Sequence, residues 1–264
     1  MAHAAAMIPA PRPSRPHPRP ALPPSPVGEA QRARYRAEGY AILPGVIPPH
    51  LLQLLRDGCQ AAIDATDREL DRLGTDVSGI NHRGKRYFAG HPSLQQPRLW
   101  EFIRSPLMLS IVADLVGPEA YVFWEQYVVK AADSNMRFAW HQDSGYVGDE
   151  TQHDPYLTCW CALDDMTLEN GTISVLPFSR AGGCVRHPHH QEEGTNDLVG
   201  YTGDDPGELV LVPAGSIALF TSHTLHRSGA NVTGKPRRSY LIQYSNEVIR
   251  RPDFTPWGRT ERVL

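Results

Sequence analysis

The run Gly117-Pro118, followed by Ala120-Tyr121-Val122-Phe123-Trp124-Glu125-Gln126-Tyr127-Val128-Val129-Lys130-Ala131, is where the chain changes period. Upstream, apolar residues recur every three to four positions. Downstream they alternate, so that successive side chains point to opposite faces of a sheet. Strand candidates lie at 120–131, 137–141, 157–163, 172–176, 184–187, 208–212, 216–221, 225–229 and 238–246. The turn signals Glu169-Asn170-Gly171, Ala181-Gly182-Gly183, Pro213-Ala214-Gly215 and Thr233-Gly234-Lys235-Pro236 separate them. On the other side of Pro118, residues 29–38 read as a short charged helix ended by Gly39, and Tyr40-Ala41-Ile42-Leu43-Pro44 as a short strand. A longer helix follows from Pro48 to about Leu73, with Leu52, Leu55, Cys59 and Ile63 on one stripe and prolines at its start. Residues 74–97 fit neither period cleanly; short helices follow at 98–104 and from Pro106 to Gly117-Pro118. Helices first and many short strands afterwards indicate a mainly β fold, a sandwich or open barrel with helices packed on one side.

Composition narrows the function classes. The 264 residues suffice for one good-sized domain, expected over 29–250 with 251–264 as a C-terminal extension. Residues 1–28, which include the run PAPRPSRPHPRPALPPSP, bury too little apolar surface to offset their ordering entropy and read as a disordered Pro-rich tail. A formal charge of −3 gives no basic footprint for nucleic acid. No apolar run reaches membrane-spanning length. The cysteines at 59, 159, 161 and 184 have neither zinc-type spacing nor a disulfide framework. Cys159 and Cys161 flank Trp160 and read as reduced thiols on one strand face, which fits a cytoplasmic compartment.

Chemistry concentrates at Trp140-His141-Gln142-Asp143. On an extended strand, residues two apart share a face, so His141 and Asp143 would project into one space. A second histidine would complete the two-imidazole, one-carboxylate face that suits Fe(II). Two compete for that place, His223 and His226, within Ser222–Asn231. Beyond the turn at 233–236 a hairpin can return Arg237 to the same cavity. Its planar fork grips a carboxylate through parallel hydrogen bonds. A metal triad with such an arginine suggests a ligand that chelates metal at one end and carries a carboxylate at the other, which is the shape of 2-oxoglutarate. His187-Pro188-His189-His190 has neither strand alternation nor a carboxylate partner and reads as a solvated loop. Tyr87, Trp124, Arg137 and Tyr146 are candidate pocket residues.

Taken together, Gly39-Tyr40 with Leu43-Pro44, Trp140–Asp143 with Tyr146, Trp160-Cys161-Ala162-Leu163-Asp164-Asp165, Glu169-Asn170-Gly171, Val175-Leu176-Pro177, His226–Asn231 and Pro236-Arg237-Arg238 resemble the phytanoyl-CoA dioxygenase family of Fe(II)/2-oxoglutarate-dependent oxygenases. The resemblance spans roughly residues 35–246. It implies a double-stranded β-helix, a jelly-roll or cupin-like barrel with N-terminal helices. It implies His141, Asp143 and His226 as iron ligands, His226 because Ser228 and Asn231 then fall in the family's register. Arg237 would hold the distal carboxylate of 2-oxoglutarate, with Arg238 as the fallback, and Gln126, Trp160 and Ser228 would contact the same cosubstrate. The implied reaction uses O2, releases succinate and CO2, and oxidises a C–H bond of a small-molecule substrate such as a secondary metabolite. Halogenating relatives lack the carboxylate, so the presence of Asp143 speaks against halogenation. The chain departs from the family where Ala131-Ala132, in place of Pro-Gly, follows Lys130. The rival readings are a zinc-binding cupin-like isomerase or hydrolase, which would give Arg237 no purpose, and a non-catalytic binder of small acids, against which the intact triad argues. Substrate choice is expected to reside in loops 74–97, 144–156 and 186–206.

Overall fold

The structure, a computed structural model, describes residues 22–132, 134, 136–148, 150–193 and 197–264. The expected tail lies outside it as far as residue 21; beyond that point Leu22 and Val27 pack against the main core, so the last part of the expected tail is ordered. Helices α1 (Glu29–Glu38), α2 (Pro49–Leu73), α3 (Trp100–Ile103) and α4 (Pro106–Leu115) precede most of the sheet, and short helices α5 (Asp143–Val147) and α6 (Phe178–Ala181) interrupt it. The strands are β1 (Tyr40–Leu43), β2 (Val77–Ser78), β3 (Asn81–His82), β4 (Arg86–Gly90), β5 (Tyr121–Lys130), β6 (Phe138–His141), β7 (Leu157–Ala162), β8 (Ile173–Leu176), β9 (His190–Gln191), β10 (Leu198–Val199), β11 (Glu208–Leu209), β12 (Ile217–Thr221), β13 (Leu225–Ser228), β14 (Arg237–Ser245) and β15 (Glu261–Arg262).

They form a large antiparallel sheet in the order β1-β12-β7-β14-β5-β4-β3-β2, with β15 added along β5, and a smaller facing sheet β11-β8-β13-β6. No ladder joins the two sheets among the described residues, so the jelly roll is open, in keeping with the expected sandwich or open barrel with helices on one side. Period-2 alternation sorts the side chains of the large sheet. On β7, Leu157, Cys159 and Cys161 face the helices, while Trp160 and Ala162 face the smaller sheet. On β14, Tyr240, Ile242 and Tyr244 face the helices and Leu241 faces inward. The helix-side core is the larger, and Cys159 and Cys161 lie in it as free, buried thiols. Leu51, Leu55, Cys59 and Ala62 form the buried stripe of α2, one position round from the stripe read in the sequence. At Gly58 a Cβ would stand 2.5 Å from the Tyr127 hydroxyl, so glycine lets α2 lie close on β5.

Three expectations change. Residues 184–187 are not a strand: Gln142 donates to the Val185 carbonyl and accepts from the His187 amide, so side-chain bonds replace a ladder there. The strand expected at 208–212 shortens to β11. Residues 74–97, read as ambiguous, supply β2, β3 and β4, which extend the large sheet beyond β5. No helix among the described residues is long and apolar enough to cross a membrane.

Candidate active site

A cavity of about 300 Å3 lies between the sheets, and His141, Asp143, His226, Arg237, Ser228, Gln126 and Trp160 all line it. Strand pairing explains the first convergence. In the β6/β13 ladder His141 stands directly opposite His226, with the imidazole centroids 4.2 Å apart. Contrary to the expectation of one continuous strand, β6 ends at His141; extended Gln142 then leads into α5, which Asp143 opens. The carboxylate still turns inward, its Oδ1 3.7 Å from His226 Nε2. Candidate ligand atoms of His141, Asp143 and His226 lie within 4.8 Å of one another.

Hydrogen bonds prepare these atoms. His141 Nδ1 lies 2.8 Å from the Ala139 carbonyl and His226 Nδ1 3.1 Å from the Thr224 carbonyl. A carbonyl only accepts, so each Nδ1 carries a proton, which leaves Nε2 as the atom free to bind a metal when the ring is neutral. Burial, then the neighbouring His226, holds the His141 pKa well below the ordinary histidine value, so its ring stays neutral. The Thr158 hydroxyl donates to Asp143 Oδ2 at 2.6 Å, fixing the carboxylate from the side opposite His226.

At the other end lies Arg237, 1% exposed. Its Nη2 donates to the Gly171 carbonyl at 3.0 Å and its Nη1 to Ser239 Oγ at 3.3 Å, while Nε is buried without a hydrogen-bond partner. Among the described residues no carboxylate pairs with it. Burial pulls the guanidinium pKa down to about 10, which still leaves it charged at neutral pH. An uncompensated buried cation is costly unless a ligand completes it. Gly171 has φ +72° and a Cβ there would come 2.4 Å from the Gly229 carbonyl, so only glycine brings its own carbonyl to the arginine. Arg238 faces the other side of β14 and is paired in a fork with Asp164 at 3.0 and 2.6 Å, which removes it as the alternative anchor. Asn231 Nδ2 donates to the Ala131 and Lys235 carbonyls, holding the connection between β13 and β14.

Lys130 is fully buried beside this end and donates to the Gly229 carbonyl, with its ammonium 4.9 Å from the Phe138 ring centroid. Burial, with Arg237 and Arg86 close by, brings its pKa down from 10.5 to about 6. Between those values the unfolded chain binds a proton that the folded chain does not, so stability rises with pH across that window and is lost as pH falls through it. Lys130→Met should flatten this dependence, by on the order of a few kcal/mol across the window. Urea midpoints at about pH 6.5 and about pH 8.5 test it; equal slopes in both proteins would refute the assignment.

The remaining candidates divide. Trp124 and Tyr146 line the cavity. Tyr87 belongs to the helix-side core with its hydroxyl on Asp67, because it falls on the outward face of β4, and Arg137 is exposed just before β6. His223 stays outside the triad, its ring near His153 and the Cys184 thiol, and burial brings its pKa down to about 4. The run 187–190 is not simply solvated: His189 Nε2 accepts from the Gln142 amide at 2.9 Å and so steadies the backbone between His141 and Asp143. Four participants had not been read in the sequence: Thr158, Trp257, and the buried pair Arg86–Asp197 at 3.1 Å, of which Asp197 lines the cavity. For Thr158 the signal was present, two positions before Trp160 on the same strand face.

The sequence pattern of the phytanoyl-CoA dioxygenase family (PhyH) matches residues 35–239. A probable phytanoyl-CoA dioxygenase of Caenorhabditis elegans is 23% identical over 242 residues, covering 83% of this chain and 75% of that protein. Some curated relatives are matched over about half of their own length, others over 68% to 91% of it. Among solved structures, the non-heme alpha ketoglutarate dependent carbocyclase SnoK from nogalamycin biosynthesis superposes with a TM-score of 0.66 at 20% identity, covering 89% of this chain and 93% of SnoK. EvdO2 from Micromonospora carbonacea var. aurantiaca, complexed with 2-oxoglutarate, gives 0.64 at 24% identity, covering 85% and 93%.

Proposed function

The chain belongs to the phytanoyl-CoA dioxygenase family of 2-oxoglutarate-dependent non-haem iron oxygenases, and on that premise we propose that His141, Asp143 and His226 hold its Fe(II) and Arg237 anchors the cosubstrate. The donor set fits: two imidazoles whose Nδ1 atoms are bonded to carbonyls, which leaves Nε2 as the ligand atom, and one carboxylate, gathered on one side of the cavity. Bound there, iron would supply the open coordination positions at which a 2-oxo acid and O2 meet, the acid losing CO2 to become succinate as a substrate C–H is oxidised. The observation that carries the reading is Arg237, a buried guanidinium with one N–H unsatisfied and, among the described residues, no carboxylate paired with it, in the same cavity as the triad. The far carboxylate of 2-oxoglutarate is the complement it lacks.

The surrounding residues take supporting parts. Trp160 lies alongside the guanidinium, its ring centroid 5.8 Å from the central carbon, and shields the pair from water. Ser228 follows His226 by two positions on β13 and so presents its hydroxyl on the same face. Gln126 Oε1 accepts from the Trp124 indole at 3.1 Å, which orients the amide in the cavity wall. A cavity of about 300 Å3 suits a small molecule, and relatives named L-proline trans-4-hydroxylase and ectoine dioxygenase support that substrate class. SnoK and its place in nogalamycin biosynthesis support a secondary metabolite.

Succinate release, measured with and without Fe(II) over a panel of small molecules, tests the proposal; metal-independent or absent release overturns it. Thr158→Val removes the hydroxyl that steadies Asp143 while keeping its volume. Loss of an outer partner of this kind is expected to weaken iron retention by about 10–100-fold, read by metal titration. Unchanged retention would show that the Thr158 bond does not matter to the ligand.

A further inference from the structure

We propose that Trp257, supplied by the C-terminal segment, forms with Trp124 a wall that selects a flat, uncharged, fused-ring substrate. The inference rests on the oxygenase reading and extends it to the substrate. Trp257 lies beyond the residues matched by the family pattern, yet it lines the same cavity as the triad. Its position is built rather than incidental. The Trp257 amide donates to the Ile249 carbonyl at 2.8 Å, the Arg259 amide donates to the Phe123 carbonyl at 2.9 Å, and β15 then pairs with β5. The indole packs on Trp124 with centroids 5.5 Å apart and on Phe123 at 5.9 Å. Trp124 is held in turn by its bond to Gln126 and by the His91 ring at 4.3 Å. Two half-buried indoles, locked from behind, present rigid polarizable surface to the cavity at little entropic cost.

A second aromatic pair, Phe88 and Phe138, edge to face at 5.2 Å, lines the same cavity. Two aromatic pairs in one cavity suit a planar ring system, which meets them by stacked or edge-on contacts that a flexible chain does not make. Charge points the same way. Asp197 is paired with Arg86, Arg227 lies over the Trp140 ring and donates to the Pro206 carbonyl, and Arg237 is reserved for the cosubstrate. Arg227 and Arg237 are the arginines among the described lining residues, and Arg227 already has the Trp140 ring and the Pro206 carbonyl as partners. At about 300 Å3, shared with the cosubstrate, the space is at the lower end for ligand pockets and admits part of a ring system, the rest emerging at the mouth.

The experiment is a ligand-observed NMR titration of the full chain with 1-naphthol and flavone as uncharged fused-ring probes, and with L-proline and decanoyl-CoA as a zwitterionic and a polyanionic probe. The ring probes are expected to bind and the other two to bind at least about tenfold more weakly. Trp257→Leu should weaken ring-probe binding about tenfold, Trp257→Phe should restore most of it, and Phe254→Ala, an exposed aromatic on the same segment, should bind as the parent does. Preferential binding of L-proline or decanoyl-CoA, no binding of either ring probe, or equal affinity in Trp257→Leu would overturn the inference. Succinate formation, followed in parallel, separates the two levels. Iron-dependent succinate without ring-probe binding removes the substrate class alone, and ring-probe binding without succinate removes the oxygenase reading alone.

Discussion

Asp143→Ala should bring iron-dependent succinate formation down by at least about 1,000-fold, since disturbing even an outer partner of a metal ligand costs about 10–100-fold and the ligand itself counts for more. The carboxylate is the only anionic member of the gathered donor set, held between the Thr158 hydroxyl and the His226 ring. Its removal leaves two imidazoles, a set with far less attraction for a dication in a buried site. Iron retention, measured by metal analysis after gel filtration, should fall together with turnover. Asp143→Asn keeps the volume and a partner for Thr158, so it separates loss of the ligand from loss of packing. Retained turnover in both variants would take Asp143 out of the metal site.

The second large effect belongs to Arg237. Truncating one partner of a buried, hydrogen-bonded charge pair costs about 2–5 kcal/mol, so Arg237→Met should raise the 2-oxoglutarate requirement between about thirtyfold and several thousandfold. Arg237→Lys should recover only part of this, because an ammonium offers a point charge where the fork offers two parallel bonds. Stability should move differently. Without ligand the guanidinium is buried beside Lys130 with Nε unsatisfied, so replacing it by an apolar side chain relieves a cost as well as losing the bonds to Gly171 and Ser239. The ligand-free Tm of Arg237→Met should therefore stay close to that of the parent, while the rise in Tm caused by 2-oxoglutarate disappears. A persisting 2-oxoglutarate shift would place the anchor elsewhere.

How much of this was legible depends on whether the determinant is local. Alternation along single strands made the mainly β sandwich or open barrel and the cysteine face of β7 readable, and the family resemblance narrowed the fold to a jelly roll. The choice between Arg237 and Arg238 was also within reach: Tyr240, Ile242 and Tyr244 mark the helix-facing side of β14, which puts Arg238 with them and Arg237 with Leu241 in the cavity. The pairing of His141 with His226 is a matter of register between strands far apart in the chain, and motif resemblance rather than periodicity pointed to it. The segment 184–187 misled because its apolar alternation is weak and its backbone is satisfied by Gln142, a contact no local pattern encodes. Arg86–Asp197 and Trp257 were out of reach for the same reason. Each arrives from a segment whose course is decided by tertiary contacts, and the segment carrying Trp257 had been read as a mere extension.

The central claim is that one metal ion sits among His141, Asp143 and His226 with a 2-oxo diacid reaching from it to Arg237. Anomalous diffraction from crystals grown without oxygen in Fe(II) and 2-oxoglutarate tests it directly. The expected map has one strong peak bonded to Nε2 of both histidines and to an Asp143 oxygen, with the far carboxylate of the acid on the Arg237 fork. A peak elsewhere, among His187, His189 and His190 for example, or an acid bound away from Arg237, would contradict it.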